Sequence, residues 1–274
     1  MGTWFRLDDH TSGSARSNKE QTHAREISRP RYRSKPRIGL QIARDLAPHG
    51  FTILVGSRNF EGGVVAAGEV GPDAFALQLD VTDQASITAA AERIRKEFGR
   101  LDVLVNNAGI SSTSKMPGQT VQEYAKLNKP SSASLDEIRT IWETNVFGVL
   151  AVYQAMLPLL REAPAARIVN VSSSVGSLTR AADPASPYRQ IFLPGYSASK
   201  TALNAMTLSM AIELEATGIK VNACCPGFIK TNLNNYQGTG TLEEGAREPV
   251  RLALLGPDGP TGTYTSWENQ SVPW

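Results

Sequence analysis

From residue 51 to residue 227 the chain alternates short β-rich runs with longer helical stretches, and few folds accommodate that alternation. The runs "FTILVGSR" (51–58), "AFALQLDVTD" (74–83), "LDVLVNNAG" (101–109), "ARIVNVSSS" (166–174) and "IKVNACCPG" (219–227) are apolar without a period-two polar face, as strands buried on both faces are. Helical patterns stand among them at 38–50, 84–99, 135–162 and 196–218. The first of these, "IGLQIARDLAPHG", places Ile38, Ile42 and Leu46 on one face, with Gly50 as a stop. The expected class is α/β, a doubly wound parallel sheet in a single domain.

A chain of 274 residues, 41% of them hydrophobic, can bury one large core. Its formal charge of +2 is unevenly spread, because residues 1–37 hold nine Lys/Arg against four Asp/Glu. Residues 1–36 lack aliphatic periodicity, so a basic, disordered arm is expected there and a folded domain over 37–274. The arm is basic but carries no nucleic-acid reading motif, so no nucleic-acid partner is expected. Cys224 and Cys225 are adjacent, which suits neither a spaced disulfide framework nor a metal site and points to a reducing, cytoplasmic compartment. No run approaches the roughly 18 apolar residues of a membrane helix, so no membrane partner is expected. The N-terminus has no apolar signal core, and Asp8, Asp9, Glu20 and Glu26 argue against a transit peptide.

Several short motifs bear chemistry. Tyr196 and Lys200 in "YSASK" share a helix face, where an ammonium beside a phenol would lower the phenol's pKa towards the range of a general acid/base. In "RIVNVSSSVG" a hydroxyl at a strand end could donate to a carbonyl oxygen as charge develops, with Ser172, Ser173 and Ser174 all eligible. "NNAG", with Asn107, Ala108 and Gly109, allows a ligand to approach the backbone closely. Asn145 is a polar residue within an apolar helix. Two long interruptions, 111–133 and 177–195, follow strand ends and are candidate substrate loops.

In their order, "NNAG" (106–109), "TNVFG" (144–148), "VSSSVG" (171–176), "YSASK" (196–200) and "PGFIKTNL" (226–233) resemble the short-chain dehydrogenase/reductase family over about residues 38–274. The resemblance implies a Rossmann-like fold and nicotinamide-dependent hydride transfer between a carbonyl and an alcohol, on a small-molecule substrate. By the same resemblance Ser173 is the catalytic hydroxyl and Tyr196 the proton donor. Lys200 tunes Tyr196 and holds the nicotinamide ribose, and Asn145 anchors a water in the proton relay. Pro226, Gly227 and Thr231 border the nicotinamide, while Asp80 and its neighbour Val81 lie beside the adenine. The second strand ends in Ser57 and Arg58 with no carboxylate, which favours NADP (NADPH) over NAD. The ending "GPDGPTGTYTSWENQSVPW" resembles carbonyl-reductase-like members. The long spacing from Ser173 to Tyr196 makes a monomer plausible beside a homo-oligomer.

One family element does not match. The pattern TGxxxGIG before the first helix superposes only at Ile38 and Gly39, with Tyr32, Arg33 and Arg37 where Thr and two glycines are expected. The preceding "AREISRPR" brings charges and a proline where a buried central strand belongs, so that first strand is expected to be degraded or missing. Three readings stay open: an N-terminal segment from a different start, splice or frame; a catalytically impaired member that binds other partners without cofactor; and a basic arm whose Arg33, Lys35 and Arg37 contact phosphates.

Overall fold

The computed structural model describes residues 4–8 and 37–274. In chain order the main elements are β1 (Trp4–Asp8), α1 (Ile38–Leu46), β2 (Phe51–Ser57), α2 (Phe60–Val70), β3 (Ala74–Gln78), α3 (Gln84–Phe98), β4 (Val103–Asn106) and α4 (Val121–Leu127). There follow α5 (Leu135–Trp142), a π turn (Glu143–Phe147), α6 (Gly148–Leu160), β5 (Arg167–Val171), α7 (Leu178–Ala182) and α8 (Tyr196–Glu213). The chain ends with β6 (Lys220–Cys224), α9 (Leu242–Ala253), β7 (Tyr264–Ser266) and β8 (Gln270–Ser271).

The strands form one sheet in the order β3-β2-β1-β4-β5-β6-β7-β8. The pairs β2 with β3, β4 with β5, β5 with β6, and β6 with β7 are parallel. Alternate residues of each strand supply opposite cores, which explains the continuous apolar runs. Leu54 and Leu104 pack with Ile87, Ile94, Val152, Met156 and Leu203 on one face. Ile53, Val55, Val103 and Val105 pack with Leu40, Ile42, Leu46 and Leu252 on the other. The doubly wound parallel fold is therefore as expected.

The centre of the sheet differs from expectation. β1 fills the position between β2 and β4 and runs antiparallel to both, with Trp4 opposite Val55 and Val105 and Asp8 opposite Phe51. A gap there would leave the facing backbone groups of β2 and β4 unpaired inside the domain, a cost that hydrogen bonding to any five-residue strand relieves. Residues 4–8 thus belong to the sheet and not to a separate arm. The remainder of the proposed arm, including Tyr32, Arg33, Lys35 and "AREISRPR", lies outside the described residues.

Other elements were not anticipated. α2 contains three glycines, and its start is fixed by Asn59, whose Oδ1 accepts from Gly62 N at 2.6 Å. α9 begins with a capping box in which Thr241 and Glu244 bond each other's backbone N–H. The helical segment Leu135–Leu160, 26 residues, is long and apolar enough to cross a membrane, contrary to the sequence reading, but 61% of its apolar window is buried within the domain. It serves here as a core helix.

The β1 ladder generates a test. Backbone hydrogen bonds contribute about 0.5–1.5 kcal/mol each, so losing both ladders would remove an amount comparable with a domain's total stability of roughly 5–15 kcal/mol. Deleting residues 1–8 is expected to abolish cooperative thermal unfolding followed by circular dichroism. An unchanged midpoint would show that residues 4–8 do not close the sheet.

Candidate active site

A cleft of about 810 Å³ opens at the ends of β2, β4, β5 and β6, where open parallel sheets bind ligands. Its floor at one end is the start of α1, with Arg37, Ile38 and Gly39 among the lining residues. Arg37 is extended (φ −143°, ψ 139°) and no side chain caps the helix. Leu40 N and Gln41 N already donate to Arg37 O, at 3.1 and 3.3 Å, which leaves the N–H groups of Ile38 and Gly39 without intrahelical partners at the cleft lining, an arrangement suited to anions.

Ser57 and Arg58 form the adjoining wall. The Ser57 hydroxyl donates to Asn59 O at 2.8 Å, and Gln78 Nε2 donates to Arg58 O at 3.0 Å, which fixes the turn. Asp80 is outside the lining and is occupied locally, its Oδ1 accepting from Thr82 N at 3.0 Å and Thr82 Oγ1 at 2.7 Å. Burial pushes its carboxyl up, but the Thr82 bonds and Arg58 outweigh this and hold it below the usual range. Val81 and Ala108 also stand behind the cleft surface, whereas Asn107 and Gly109 line it. Val81 O lies 2.7 Å from where a Cβ on Gly148 would be, so the glycine of "TNVFG" lets the long helix press against this loop.

Asn145 is buried in the π turn. Its Oδ1 accepts from Ile110 N at 2.9 Å, while Nδ2 donates to Ile110 O and Ser199 Oγ, each at 2.9 Å. Both amide donors are thus committed to joining the loop after "NNAG" to α8. Geometry also separates the three serines. Ser172 donates to Asn204 Oδ1 at 2.5 Å, and Ser174 donates through N and Oγ to Cys225 Sγ at 3.1 Å. Ser173 makes neither of these bonds, and it is the serine whose side chain acts on the Tyr196 phenol, pulling its pKa down.

Tyr196 opens α8 and, with Lys200, lines the cleft. Gly176 makes this packing possible, since a Cβ there would fall 2.7 Å from Lys200 Cβ and 2.8 Å from Lys200 C. Lys200 Nζ donates to Val171 O at 2.8 Å and stands 5.8 Å from the Tyr196 ring centroid. The expected acidification of the phenol is not observed. Burial raises the Tyr196 pKa, with Ser173 opposing, and burial pulls the Lys200 ammonium down to about 8. Desolvation of both groups outweighs their mutual effect at this separation.

Beyond β6, Pro226 and Thr231 line the cleft, and Gly227 turns the chain at φ +90°, a left-handed conformation that suits glycine. Of the two candidate substrate loops, 111–133 supplies Ser111, Ser112 and Lys115 to the lining, residues the motifs did not single out. The other loop supplies none, although Leu193 and Gly195 join Tyr196 around a small adjoining cavity. The hub of the first loop is buried Glu137 on α5. Its Oε1 accepts from Ser112 Oγ and Thr113 N, both at 2.7 Å, and from Ser114 N at 3.1 Å, while Oε2 accepts from Ser114 Oγ at 2.8 Å. Only the folded chain brings these donors around the carboxylate.

The family model "short chain dehydrogenase" matches residues 37–241. The chain belongs to the short-chain dehydrogenase family. It is 32% identical to (+)-neomenthol dehydrogenase of Arabidopsis thaliana over 84% of this chain and 92% of that protein. The structure of salutaridine reductase from Papaver somniferum superposes with a TM-score of 0.69 and 29% identity, covering 86% of this chain and 97% of that one. NADPH-bound carbonyl reductase from chicken fatty liver superposes with a TM-score of 0.62 and 27% identity, over 76% and 80% of the respective chains. This short-chain dehydrogenase is thus an oxidoreductase whose relatives include reductases and dehydrogenases of carbonyls and alcohols.

Glu137 supplies a pH test. Burial raises its pKa, but four hydrogen bonds from Ser112, Thr113 and Ser114 overcome this and hold it at about 2, below the ordinary 4.5. Its stabilising contribution is therefore complete above pH 4.5 and disappears as the pH falls towards 2. Glu137→Gln is expected to cost about 1–3 kcal/mol in urea unfolding at neutral pH, and the gap from wild type is expected to close on acidification. A gap that is constant with pH would contradict the assignment.

Proposed function

We propose that this chain is an NADPH-dependent reductase interconverting a ketone or aldehyde with its alcohol. The observation that carries the reading is that Tyr196, on whose phenol Ser173 acts, and Lys200 line a cleft to which the described residues give four cations, Arg37, Arg58, Lys115 and Lys200, and no carboxylate. A multiply anionic dinucleotide suits such a lining. The N–H groups of α1 and Arg37 would receive the diphosphate, and Ser57 with Arg58 the 2′-phosphate. When bound, NADPH supplies the hydride.

The protein's own residues supply position and a proton. Ser173 Oγ would donate to the substrate carbonyl oxygen, fixing it beside the Tyr196 hydroxyl. Burial keeps that phenol protonated at neutral pH, which is the state required to deliver a proton to the developing alkoxide. Lys200, whose Nζ donates to Val171 O, would hold the ribose of a bound cofactor. Asn145 acts by clamping the Ile110 loop to α8, so that both cleft walls keep their separation. Against this reading stands the impaired-member alternative, favoured by Arg37 where the family has a glycine.

Titration with NADPH, followed by nicotinamide fluorescence, separates the two: saturation in the micromolar range is expected, and no binding at millimolar cofactor favours the impaired member. Arg58→Glu is expected to lower the NADPH-over-NADH preference by about tenfold or more, and an unchanged preference would remove Arg58 from the site. Tyr196→Phe is expected to lower the rate of ketone reduction by about 10²–10⁴-fold at unchanged cofactor affinity. Equal rates would mean that another group is the acid.

A further inference from the structure

Of the four cations that the described residues give the cleft wall, Arg37, Arg58 and Lys200 have places in the reading above, and Lys115 has none. Lys115 is half-buried in the loop after β4. Its Nζ donates to Leu233 O at 2.6 Å and to Ser111 Oγ at 3.2 Å, both uncharged acceptors, and stands 5.9 Å from the Tyr124 ring centroid. An ammonium has three N–H donors, so one remains. Among the described residues Lys115 forms no ion pair. The acid that acts on it electrostatically is Glu137, whose oxygens are already taken by Ser112, Thr113 and Ser114. A half-desolvated cation with a spare donor is costly unless an anion completes it.

The ammonium is also held still. Ser111 Oγ donates to the same Leu233 carbonyl at 2.6 Å. Asn235 Nδ2 donates to Met116 O at 2.8 Å and to Gln119 O at 2.9 Å, and Gln237 Nε2 donates to Gln119 O at 2.9 Å. These bonds fasten the loop after β4 to the loop after β6 on the side of the cleft where Ser111 and Leu233 stand, so Lys115 is preorganised and not a waving surface lysine. Tyr124 joins it to the catalytic end, because Tyr124 and Tyr196 line the same small cavity.

We propose that Lys115 is a specificity-determining residue that receives a carboxylate of the substrate, so that the cleft takes oxo acids, with the carbonyl at Tyr196 and the carboxylate at Lys115. The proposal rests on the reductase reading and narrows its substrate class.

The test uses aryl oxo acids of two lengths, phenylglyoxylate and 4-oxo-4-phenylbutanoate, each beside its methyl ester. Binding to the full chain is measured by isothermal titration calorimetry with NADPH present and absent, and turnover by nicotinamide absorbance. At least one acid is expected to bind tenfold or more tightly than its ester, as a charge-assisted hydrogen bond allows. Lys115→Met is expected to erase that preference and Lys115→Arg to retain part of it. Ser111→Ala, which removes the serine's own bond to Leu233 O and one acceptor of the ammonium but keeps the ammonium's charge and its bond to Leu233 O, is expected to retain the preference. Acids that bind no better than their esters overturn the proposal, as does a preference that survives Lys115→Met or is lost equally in Ser111→Ala. Should acid binding follow Lys115 while no acid is reduced under NADPH, the carboxylate site stands and the reductase reading fails.

Discussion

The close approach of the β5 end to α8 is the constraint on which the site depends. Gly176 leaves no room for a Cβ against Lys200, and this contact sets the turn carrying Ser173 beside the first residue of α8, Tyr196. Asn145 repeats the device on the other side, tying the β4 loop to Ser199 of the same helix. The helix is thus held from two strands at once, and its first turn becomes the fixed point from which the cleft is measured. Catalytic positioning of this kind is worth little unless the supporting contacts are stiff, and both ties here are buried.

The sheet presents a different problem, solved less economically. A doubly wound sheet needs a central strand, and β1 supplies one in reverse orientation. In a parallel arrangement the first strand would end at the cofactor edge and run straight into α1. Here the N-terminal end of β1, at Trp4, lies at the edge where β2 and β4 finish. In the proposed reading the phosphate site is the α1 terminus with Ile38 and Gly39, joined by Arg37, all of which line the cleft. On that reading the helix end would supply backbone amides and Arg37 would supply side-chain charge where the family has a glycine.

How much of this was legible in the sequence follows from where each signal resides. The parallel strands are readable because burial on two faces demands uninterrupted apolar residues, and "YSASK", "VSSSVG" and "NNAG" are readable because their chemistry is local. β1 was not, since five residues within a polar arm carry no periodic signal and their partners are some fifty and one hundred residues away. The glycines of α2 obscure its helical pattern, and the capping box of α9 in "TLEE" is a local signal that precedes only a short apolar face. Which of three serines meets Tyr196 depends on the twist of a strand end. The direction of the Tyr196 pKa depends on desolvation, which exists only in the folded chain. The environments of Lys115 and Glu137 arise from contacts between loops and were equally invisible.

The central proposal is that this cleft positions NADPH to pass its hydride to a carbonyl although Arg37 stands where the family has a glycine. Single-turnover mixing of the protein and NADPH with acetophenone, using cofactor deuterated at the transferred position, tests it most directly. First-order loss of nicotinamide absorbance, slowed by the deuterium, is the predicted result. No loss of absorbance from a demonstrated NADPH complex at saturating ketone would contradict it.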